Sequence, residues 1–191
     1  MSNKKQTVSP NQELIVYVDK NGGPTGETAP KLDAHTSGTR LHLAFSCYIF
    51  NDLGQILVTR RALGKKVWPG VWTNSVCGHP APDEPMFDAI ARRAEYELGM
   101  KIKDIVVMLP KYSYITPPFN GIVENEFCPV HLARMTTVPS PNPDEVDDYK
   151  WMDWTDFVAA LQSDTTDVWS FWCKDQVRQF DDKILAPYIS K

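Results

Sequence analysis

The chain has 191 residues, a formal net charge of −4, and 42% hydrophobic and 23% charged residues. An acidic chain of this composition is not a general binder of nucleic acid or of anionic membrane surfaces, although it can still hold a local basic pocket. No run of about 18 apolar residues is present, which excludes a transmembrane helix.

Residues 1–12 carry charge but no apolar segment, so we expect a flexible lead-in there and no signal peptide. The four cysteines are widely spaced and form no CxxC pair: Cys47, Cys77, Cys128 and Cys173. Free thiols in a reducing cytoplasm are the expectation, with two disulfides as the alternative. We therefore predict a cytoplasmic protein with one domain over residues 1–191.

Hydrophobic runs and turn residues predict the elements of the N-terminal half. Strands are expected over 13–19, 41–50, 55–61 and 71–79. Turns are expected over 20–27 and 51–54, and the second turn closes a hairpin. A helix follows over about 84–98, in which Asp83 is the expected cap, Pro85 lies in the first turn and Gly99 ends the helix.

The C-terminal half mixes strands and helices. Strands are expected near 104–108, 112–116, 122–134 and 149–152, with helices over 155–161 and 169–180. Because this order lacks regular βαβ repetition and internal repeats, it predicts an α+β fold, or an α/β fold with a mixed sheet.

The predicted helix over 84–98 breaks its own hydrophobic pattern. At 100° per residue, Met86, Phe87, Ile90 and Ala94 form an apolar stripe, yet Arg93 and Glu97 fall within or beside it. A buried or edge salt bridge is one explanation, but such a pair contributes little net stability. The alternative is a helix face that lines a polar cavity, where Glu97 binds a hard cation and Arg93 an anion. Arg92 falls on the opposite, solvated face.

Other polar residues interrupt predicted strands. Glu124 and Glu126 share one face of the strand over 122–134, where an edge-strand charge pair is the alternative to a site. His35, His42 and His79 fall in stretches with other polar features, although a lone histidine is usually structural. Together the five residues form a mixed nitrogen and oxygen set, which suits Zn²⁺ or Mn²⁺ better than Ca²⁺.

Two loops carry clustered charge. Four cations surround a glycine within 59–72, namely Arg60, Arg61, Lys65 and Lys66. On an acidic protein this loop indicates a phosphate site, and a solvated loop is the alternative. The Pro- and Asp-rich segment over 139–148 is interpreted as a solvated loop.

The segment 78–100 resembles the Nudix box. That motif consists of Gly, five residues, Glu, seven residues, and then the pattern Arg-Glu-apolar-x-Glu-Glu-x-Gly-apolar. The matching residues are Gly78, Glu84, Arg92, Ala94, Glu97, Gly99 and Met100. Arg93 and Tyr96 replace two of the glutamates with which the usual Nudix hydrolase binds divalent cations. This departure indicates a divergent member.

Taken together, the motifs are similar to those of type 1 isopentenyl diphosphate isomerases, a divergent Nudix family. The resemblance runs from about residue 31 to 180 and is carried by "KLDAHTSGTRLHLAFS", "LVTRRALGKKVWPGVWTNSVCGHP", "RRAEYELG" and "GIVENEFCPV". It implies a Nudix-like fold with a central mixed β-sheet flanked by helices. It also implies reversible conversion of isopentenyl diphosphate to dimethylallyl diphosphate through a tertiary carbocation-like state, in isoprenoid biosynthesis.

The resemblance implies a role for each matched residue. Cys77 and Glu126 would be the acid/base groups, with Tyr114 assisting proton delivery and Trp172 stabilising the cation through its π-system. The implied diphosphate-binding residues are Lys31, Arg61, Lys65 and Arg93. One Mn²⁺ or Zn²⁺ would be held by His35, His42, His79, Glu124 and Glu126. A Mg²⁺ bridging the diphosphate would be held by Glu97 and the Cys77 backbone carbonyl, and Gly78 would let the backbone approach that Mg²⁺ and the diphosphate.

Two other functions stay open. One is a Nudix pyrophosphohydrolase that acts on a nucleoside diphosphate derivative, against which Arg93 and Tyr96 argue. The other is a catalytically inactive Nudix fold that binds a metabolite or a protein, against which the presence of Cys77 and Glu126 argues. The expected partner is a small-molecule diphosphate, with no nucleic acid or membrane partner, and the expected state is a monomer or a weak homodimer.

Overall fold

Two β-sheets form the framework of the fold, and the chain passes directly from one sheet to the other at their junction. The computed structural model describes residues 13–31 and 38–190, and in them twelve strands and four complete helices follow one another. The first seven strands are β1 (Leu14–Val18), β2 (Pro24–Pro30), β3 (His42–Leu43), β4 (Phe45–Phe50), β5 (Ile56–Arg61), β6 (Trp72–Thr73) and β7 (Val76–Gly78). After them come α1 (Met86–Leu98), β8 (Ile102–Leu109), β9 (Ser113–Ile115), β10 (Asn125–Phe127), β11 (Val130–Met135), β12 (Val146–Met152), α2 (Trp154–Ser163), α3 (Phe171–Val177) and α4 (Asp182–Ile189).

Both sheets are mixed. One has the order β2-β1-β3-β10-β9, and β3 pairs in parallel with β10. The other has the order β12-β5-β4-β11-β8, with β6 on β5, β7 on β4, and β4 parallel to β11. The chain crosses between the sheets at Ala44 and again at Cys128 and Pro129. Parallel hydrogen bonding continues across this junction, where Ala44 N–H donates to Phe127 O at 2.9 Å and Ser46 N–H to Pro129 O at 3.2 Å.

Strand β4 is buried on both faces, as expected for a strand covered by helices on each side. Its side chains alternate between two hydrophobic clusters. Tyr48 and Phe50 belong to the cluster under α2, α3 and α4, whereas Phe45, Cys47 and Ile49 belong to the cluster under α1. This arrangement confirms the predicted α+β fold with a mixed sheet flanked by helices.

Helix α1 begins and ends close to its predicted bounds. Gly99 adopts the left-handed conformation (φ 60°), and its N–H donates to Glu95 O at 3.0 Å. The predicted capping by Asp83 is wrong: Asp83 itself has a positive φ of 60°, and Pro85 occupies the cap position without a side-chain hydrogen bond. Phe87, placed on the apolar stripe, is 43% exposed, and its ring meets the buried His131 edge-to-face with 5.8 Å between ring centroids.

Several element boundaries differ from the predictions. The run over 71–79 divides into β6 and β7, and the run over 122–134 divides into β10 and β11 at Pro129, which has no N–H to donate. The predicted turn over 20–27 ends early, because β2 already begins at Pro24. Helix α4 was not predicted, and it contains Pro187. None of the described helices is long and apolar enough to cross a membrane.

Candidate active site

A cavity of about 620 Å³ lies where β7, the inward face of α1, β9 and β10 meet. Its walls bring together most of the residues singled out in the sequence. Those residues are Lys31, Arg61, Lys65, Cys77, Gly78, His79, Arg93, Glu97, Tyr114, Glu124, Glu126 and Trp172. His42 lies just behind this wall, fully buried beside Glu126. His35 lies outside the described residues, so its place in the site stays a prediction.

Three of these residues form a candidate metal site. The nearest ligand atoms of His42, His79 and Glu126 all lie within 4.8 Å of one another. Glu126 Oε1 is 3.2 Å from His79 Nε2 and 3.7 Å from His42 Nε2. The strands fix this geometry, because the parallel register of β3 and β10 sets Glu126 directly opposite His42.

The surroundings of the two histidines suit metal ligation. His42 Nδ1 lies 2.9 Å from Arg40 O, and since a carbonyl can only accept, Nδ1 carries the proton and Nε2 faces Glu126. Burial lowers the pKa of His79 to about 4, so that its ring stays neutral at pH 7, the form that a metal requires. Burial opposes protonation of His42 too, although the neighbouring Glu126 carboxylate raises its pKa.

Glu124 and Glu126 point to the same side, as the strand alternation predicted, and Tyr114 joins them. Tyr114 Oη donates to Glu126 Oε2 at 2.8 Å and lies 3.3 Å from Glu124 Oε2. Burial and the neighbouring Glu126 carboxylate raise the pKa of Glu124 to about 7. Burial acts on Glu126 in the same direction, but the two neighbouring histidines hold its pKa well below the ordinary range. The pair therefore offers one ionised carboxylate and one that titrates near neutrality.

Cys77 and Trp172 line another wall of the cavity. The Cys77 thiol is half-buried, and burial raises its pKa to about 11, which keeps it protonated at pH 7. The Trp172 ring is buried and stacks on Tyr114 with 6.3 Å between ring centroids and 28° between planes. The Arg61 guanidinium lies 5.9 Å above the same indole.

The remaining end of the cavity holds the predicted cations, and each is engaged by a carboxylate or a carbonyl. Arg93 is buried and donates to Glu97 from Nε at 2.9 Å and to Glu13 from Nη1 at 2.8 Å. Lys31 Nζ donates to Glu13 Oε2 at 2.8 Å. Lys65 forms an ion pair with Glu145. The inward placement of Arg93 and Glu97 that the helical periodicity predicted is therefore correct.

The structure corrects two interpretations of charged residues. Glu145 is buried and lines the cavity, so the segment over 139–148 is not a purely solvated loop, even though its neighbours Asp144 and Asp147 are exposed. Arg92 is not simply solvated either. It donates from Nε to Glu84 Oε1 at 2.7 Å and from Nη2 to His79 O at 3.2 Å, which ties the start of α1 to the end of β7.

Glu13, Asn74 and Ser46 are site residues that the sequence analysis missed. Glu13 precedes a strand and resembles any exposed glutamate in the sequence. Asn74 and Ser46 are fully buried, yet nothing in the sequence separates them from neighbouring Ser and Thr residues. The only usable signal is a polar residue inside an otherwise apolar run, as Ser46 is in "LHLAFSCYIF".

Known proteins share this architecture. A model of the NUDIX domain matches residues 40–172. A Deinococcus radiodurans protein of known structure superposes with a TM-score of 0.67 at 19% sequence identity, covering 88% of this chain and 99% of its own. At that identity the likeness shows the fold alone. The fold and the matched domain are those of NUDIX proteins.

Relatives narrow the class further. An isopentenyl-diphosphate Delta-isomerase from Agromyces mediolanus is 52% identical over 151 residues, which cover 79% of this chain and 73% of the relative. One from Kocuria rhizophila is 50% identical over 167 residues, which cover 87% and 92% of the two chains. The chain therefore belongs to the isopentenyl-diphosphate Delta-isomerase family of NUDIX proteins, as its motifs indicated.

Proposed function

We propose that this protein is an enzyme that interconverts isopentenyl diphosphate and dimethylallyl diphosphate. The observation that carries the proposal is the composition of a single cavity. The Cys77 thiol and the Tyr114–Glu126 pair line the same space, and four cations line its other end. The first set can move protons at carbon, and the second can hold a diphosphate.

The reaction adds a proton at one end of a C=C bond and removes another two carbons away. Cys77 and Glu126 are the groups that we assign to these two transfers, and which of them gives or takes a proton depends on the direction of reaction. Tyr114 Oη donates to Glu126 Oε2 and so holds that carboxylate in place and can pass a proton to it. The aromatic faces of Trp172 and Tyr114 exclude water and favour positive charge on the tertiary carbon.

Lys31, Arg61, Lys65 and Arg93 are the groups that we assign to the diphosphate. Two or more cations around one phosphoryl group give the charge-assisted hydrogen bonds on which such sites depend. The carboxylates of Glu13, Glu97 and Glu145 hold three of these cations, Lys31, Lys65 and Arg93, close together before substrate arrives, since unscreened positive charges would repel one another.

Divalent metals fit the residues present. NUDIX proteins typically use them, and His42, His79 and Glu126 offer the mixed donor set that Mn²⁺ or Zn²⁺ prefers, with Glu124 next to it. A metal there would supply positive charge that fixes and tunes the Glu126 carboxylate. Glu97 and the Cys77 carbonyl oxygen would hold a Mg²⁺. This hard cation prefers oxygen ligands and is commonly bound by carboxylates together with substrate phosphates.

The wider assignments are part of the same proposal. Residues 1–191 form one catalytic domain, located in the cytoplasm. The protein acts on a small-molecule diphosphate as a monomer or weak homodimer, with neither nucleic acid nor membrane as a partner.

The direct test is to incubate the purified protein with isopentenyl diphosphate and Mg²⁺ and to follow dimethylallyl diphosphate. We expect conversion to a fixed equilibrium ratio from either direction. No conversion by the wild-type protein would overturn the proposal. Release of phosphate from nucleoside diphosphate derivatives would instead support a pyrophosphohydrolase, and metal binding without turnover of either substrate would support an inactive binding fold.

A further inference from the structure

One buried side-chain amide serves two of the residues that face the substrate. Asn74 is fully buried behind the cavity wall that Cys77 and Trp172 form. Its Oδ1 atom lies 3.2 Å from Cys77 Sγ, 3.2 Å from Trp172 Nε1 and 2.9 Å from Thr73 Oγ1. Two groups on the cavity wall are therefore fixed by the same acceptor atom.

The orientation of the Asn74 amide is set by its other atom. Nδ2 lies 3.1 Å from Cys47 O and 3.0 Å from Val76 O. Because carbonyl oxygens only accept, the amide nitrogen must face them, and Oδ1 must then face Trp172, whose indole N–H only donates. Because Asn74 Oδ1 can only accept, the Cys77 thiol is the donor in the hydrogen bond between them.

A second chain of hydrogen bonds reaches the other side of the Cys77 sulfur. Tyr48 Oη donates to Gln176 Oε1 at 2.8 Å, and Gln176 Nε2 donates to Ser46 Oγ at 3.0 Å. The Ser46 hydroxyl lies 3.4 Å from Cys77 Sγ, with Cys128 Sγ at 3.5 Å as its other sulfur neighbour. While its oxygen accepts from Gln176, the Ser46 hydroxyl can donate its own proton to sulfur.

We propose that Asn74 is a positioning residue that aligns the Cys77 thiol and the Trp172 indole, with Ser46 as the second partner of the sulfur. This inference rests on the proposed function, in which Cys77 and Trp172 act on the substrate. It assigns to the reaction three buried polar residues that do not line the cavity: Asn74, Ser46 and Gln176.

The arrangement satisfies the sulfur in both of its protonation states. As a thiol, Cys77 donates to Asn74 Oδ1. When its proton passes to a substrate carbon, the π electrons of the alkene form the new C–H bond, and the sulfur keeps the electron pair of the S–H bond. The thiolate then accepts from Ser46. In the reverse step a C–H proton returns to sulfur, and its bonding pair becomes the C=C bond. Neither state leaves the sulfur without a partner in the protein.

Ser75 provides a matched control. If the hydrogen bonds of Asn74 and Ser46 were purely structural, loss of the Ser75 hydroxyl should affect kcat as much as their loss does. Ser75 is as buried as Ser46, and it makes two hydrogen bonds of its own, accepting from Ile49 N at 2.7 Å and donating to Leu57 O at 2.6 Å. It precedes β7 as Asn74 does, but its hydroxyl makes its hydrogen bonds to Ile49 and Leu57 and not to Cys77 or Trp172. Loss of the Ser75 hydroxyl should cost stability without disturbing the cavity wall.

The kinetic test compares Asn74→Leu, Ser46→Ala and Ser75→Ala as folded proteins with isopentenyl diphosphate. Since small misplacements of reacting groups cost about 100-fold in rate, we expect kcat to fall about 100-fold in Asn74→Leu and about tenfold in Ser46→Ala. KM should stay within about twofold of wild type in both, because neither residue lines the cavity. Ser75→Ala should keep kcat within about twofold, since its cost falls on stability. Ser46→Ala removes one atom, so it keeps the test decisive if Asn74→Leu does not fold.

An NMR readout tests the contact without turnover. In ¹⁵N-labelled protein the Trp172 indole N–H resonance is identified by its absence in Trp172→Phe. We expect it to shift upfield in Asn74→Leu and to stay in place in Ser75→Ala. Wild-type protein without isomerase activity would overturn the proposed function and this role with it. An active wild type, together with normal kcat in Asn74→Leu and Ser46→Ala or an equal loss in Ser75→Ala, would overturn the role of Asn74 alone.

Discussion

Arg93 Nη1, in the middle of α1, donates to Glu13 Oε1 at 2.8 Å, which ties the residue before β1 to a helix 80 residues further along the chain. Burial alone would raise the pKa of Glu13, but Lys31 and Arg93 lower it from 4.5 to about 2. The fold therefore favours the ionised carboxylate. Its contribution to stability is complete above about pH 5 and disappears as the pH falls towards 2.

Glu13→Gln should thus lower the free energy of unfolding by up to about 3 kcal/mol at pH 7. The difference from wild type should close as the pH falls from about 5 towards 2, because the wild-type carboxylate becomes protonated there. Urea unfolding over this pH range measures it. Glu95→Gln, at an exposed position of α1, is the control and should show no such gap. A gap for Glu13→Gln that stays constant with pH would contradict the ion-pair explanation.

Removal of either assigned acid/base group should abolish turnover while the fold survives. General acid/base groups contribute about 10² to 10⁴ in rate, so Cys77→Ala and Glu126→Gln should each lose at least 100-fold in kcat. Steady-state kinetics together with near-ultraviolet circular dichroism would check both points. Cys47→Ala removes a buried thiol from the opposite face of β4 and should leave kcat unchanged. A near-normal rate in Cys77→Ala would remove that residue from the mechanism.

Metal binding should stabilise the protein through His42, His79 and Glu126. After treatment with a chelator, addition of Mn²⁺ or Zn²⁺ at 100 times its Kd should restore about 2.7 kcal/mol of stability. Thermal melts and metal analysis after dialysis measure this without substrate. His79→Ala should neither retain the metal nor respond to it, whereas His131→Gln, at a buried histidine elsewhere, should do both. Equal metal retention by His79→Ala would remove this residue from the site.

Gly78 allows the Arg93 and Phe45 side chains to approach the backbone closely. The approach of this backbone to Mg²⁺ and the diphosphate stays a prediction. A Cβ atom at this position would lie 3.0 Å from Arg93 Cγ and 3.2 Å from Phe45 Cζ. Gly78→Ala should therefore displace the Arg93 side chain and raise KM about tenfold, a loss of binding on the order of 1.4 kcal/mol. Initial-rate kinetics would measure it.

The control for Gly78→Ala is a glycine far from the cavity. Gly54 has a φ of 74°, and a Cβ there would lie 2.6 Å from Ile189 O. Gly54→Ala should cost about 1–3 kcal/mol of stability through this strain and leave KM unchanged. If the two variants changed KM equally, the effect of Gly78→Ala would be one of general destabilisation.

Sequence periodicity was sufficient to predict which side chains of a single helix or strand face the cavity. The 3.6-residue repeat placed Arg93 and Glu97 on the inward face of α1, and strand alternation placed Glu124 and Glu126 together, because both patterns depend only on local geometry. The break at Pro129 was not predicted from alternation, since a change of sheet leaves the hydrophobic pattern intact.

The partners of these residues could not be predicted locally. Glu13, Asn74 and Glu145 meet Arg93, Trp172 and Lys65 only after the sheets have formed. Polar strands such as β2 are held by pairing with a neighbour, here β1, an effect that the local strand propensity of the residues does not contain. Helix α4 contains a proline, which local rules count against a helix.

The parallel pairing of β3 with β10 makes the candidate metal site depend on long-range assembly of the chain. His42 and Glu126 face each other only when the chain between them has completed its crossover, since parallel neighbours cannot be joined by a tight turn. A slip of one residue in β10 would turn Glu126 away from the cavity and present Asn125 or Phe127 in its place. A metal ion bound there would thus favour the correctly registered protein over forms in which β10 has slipped by one residue.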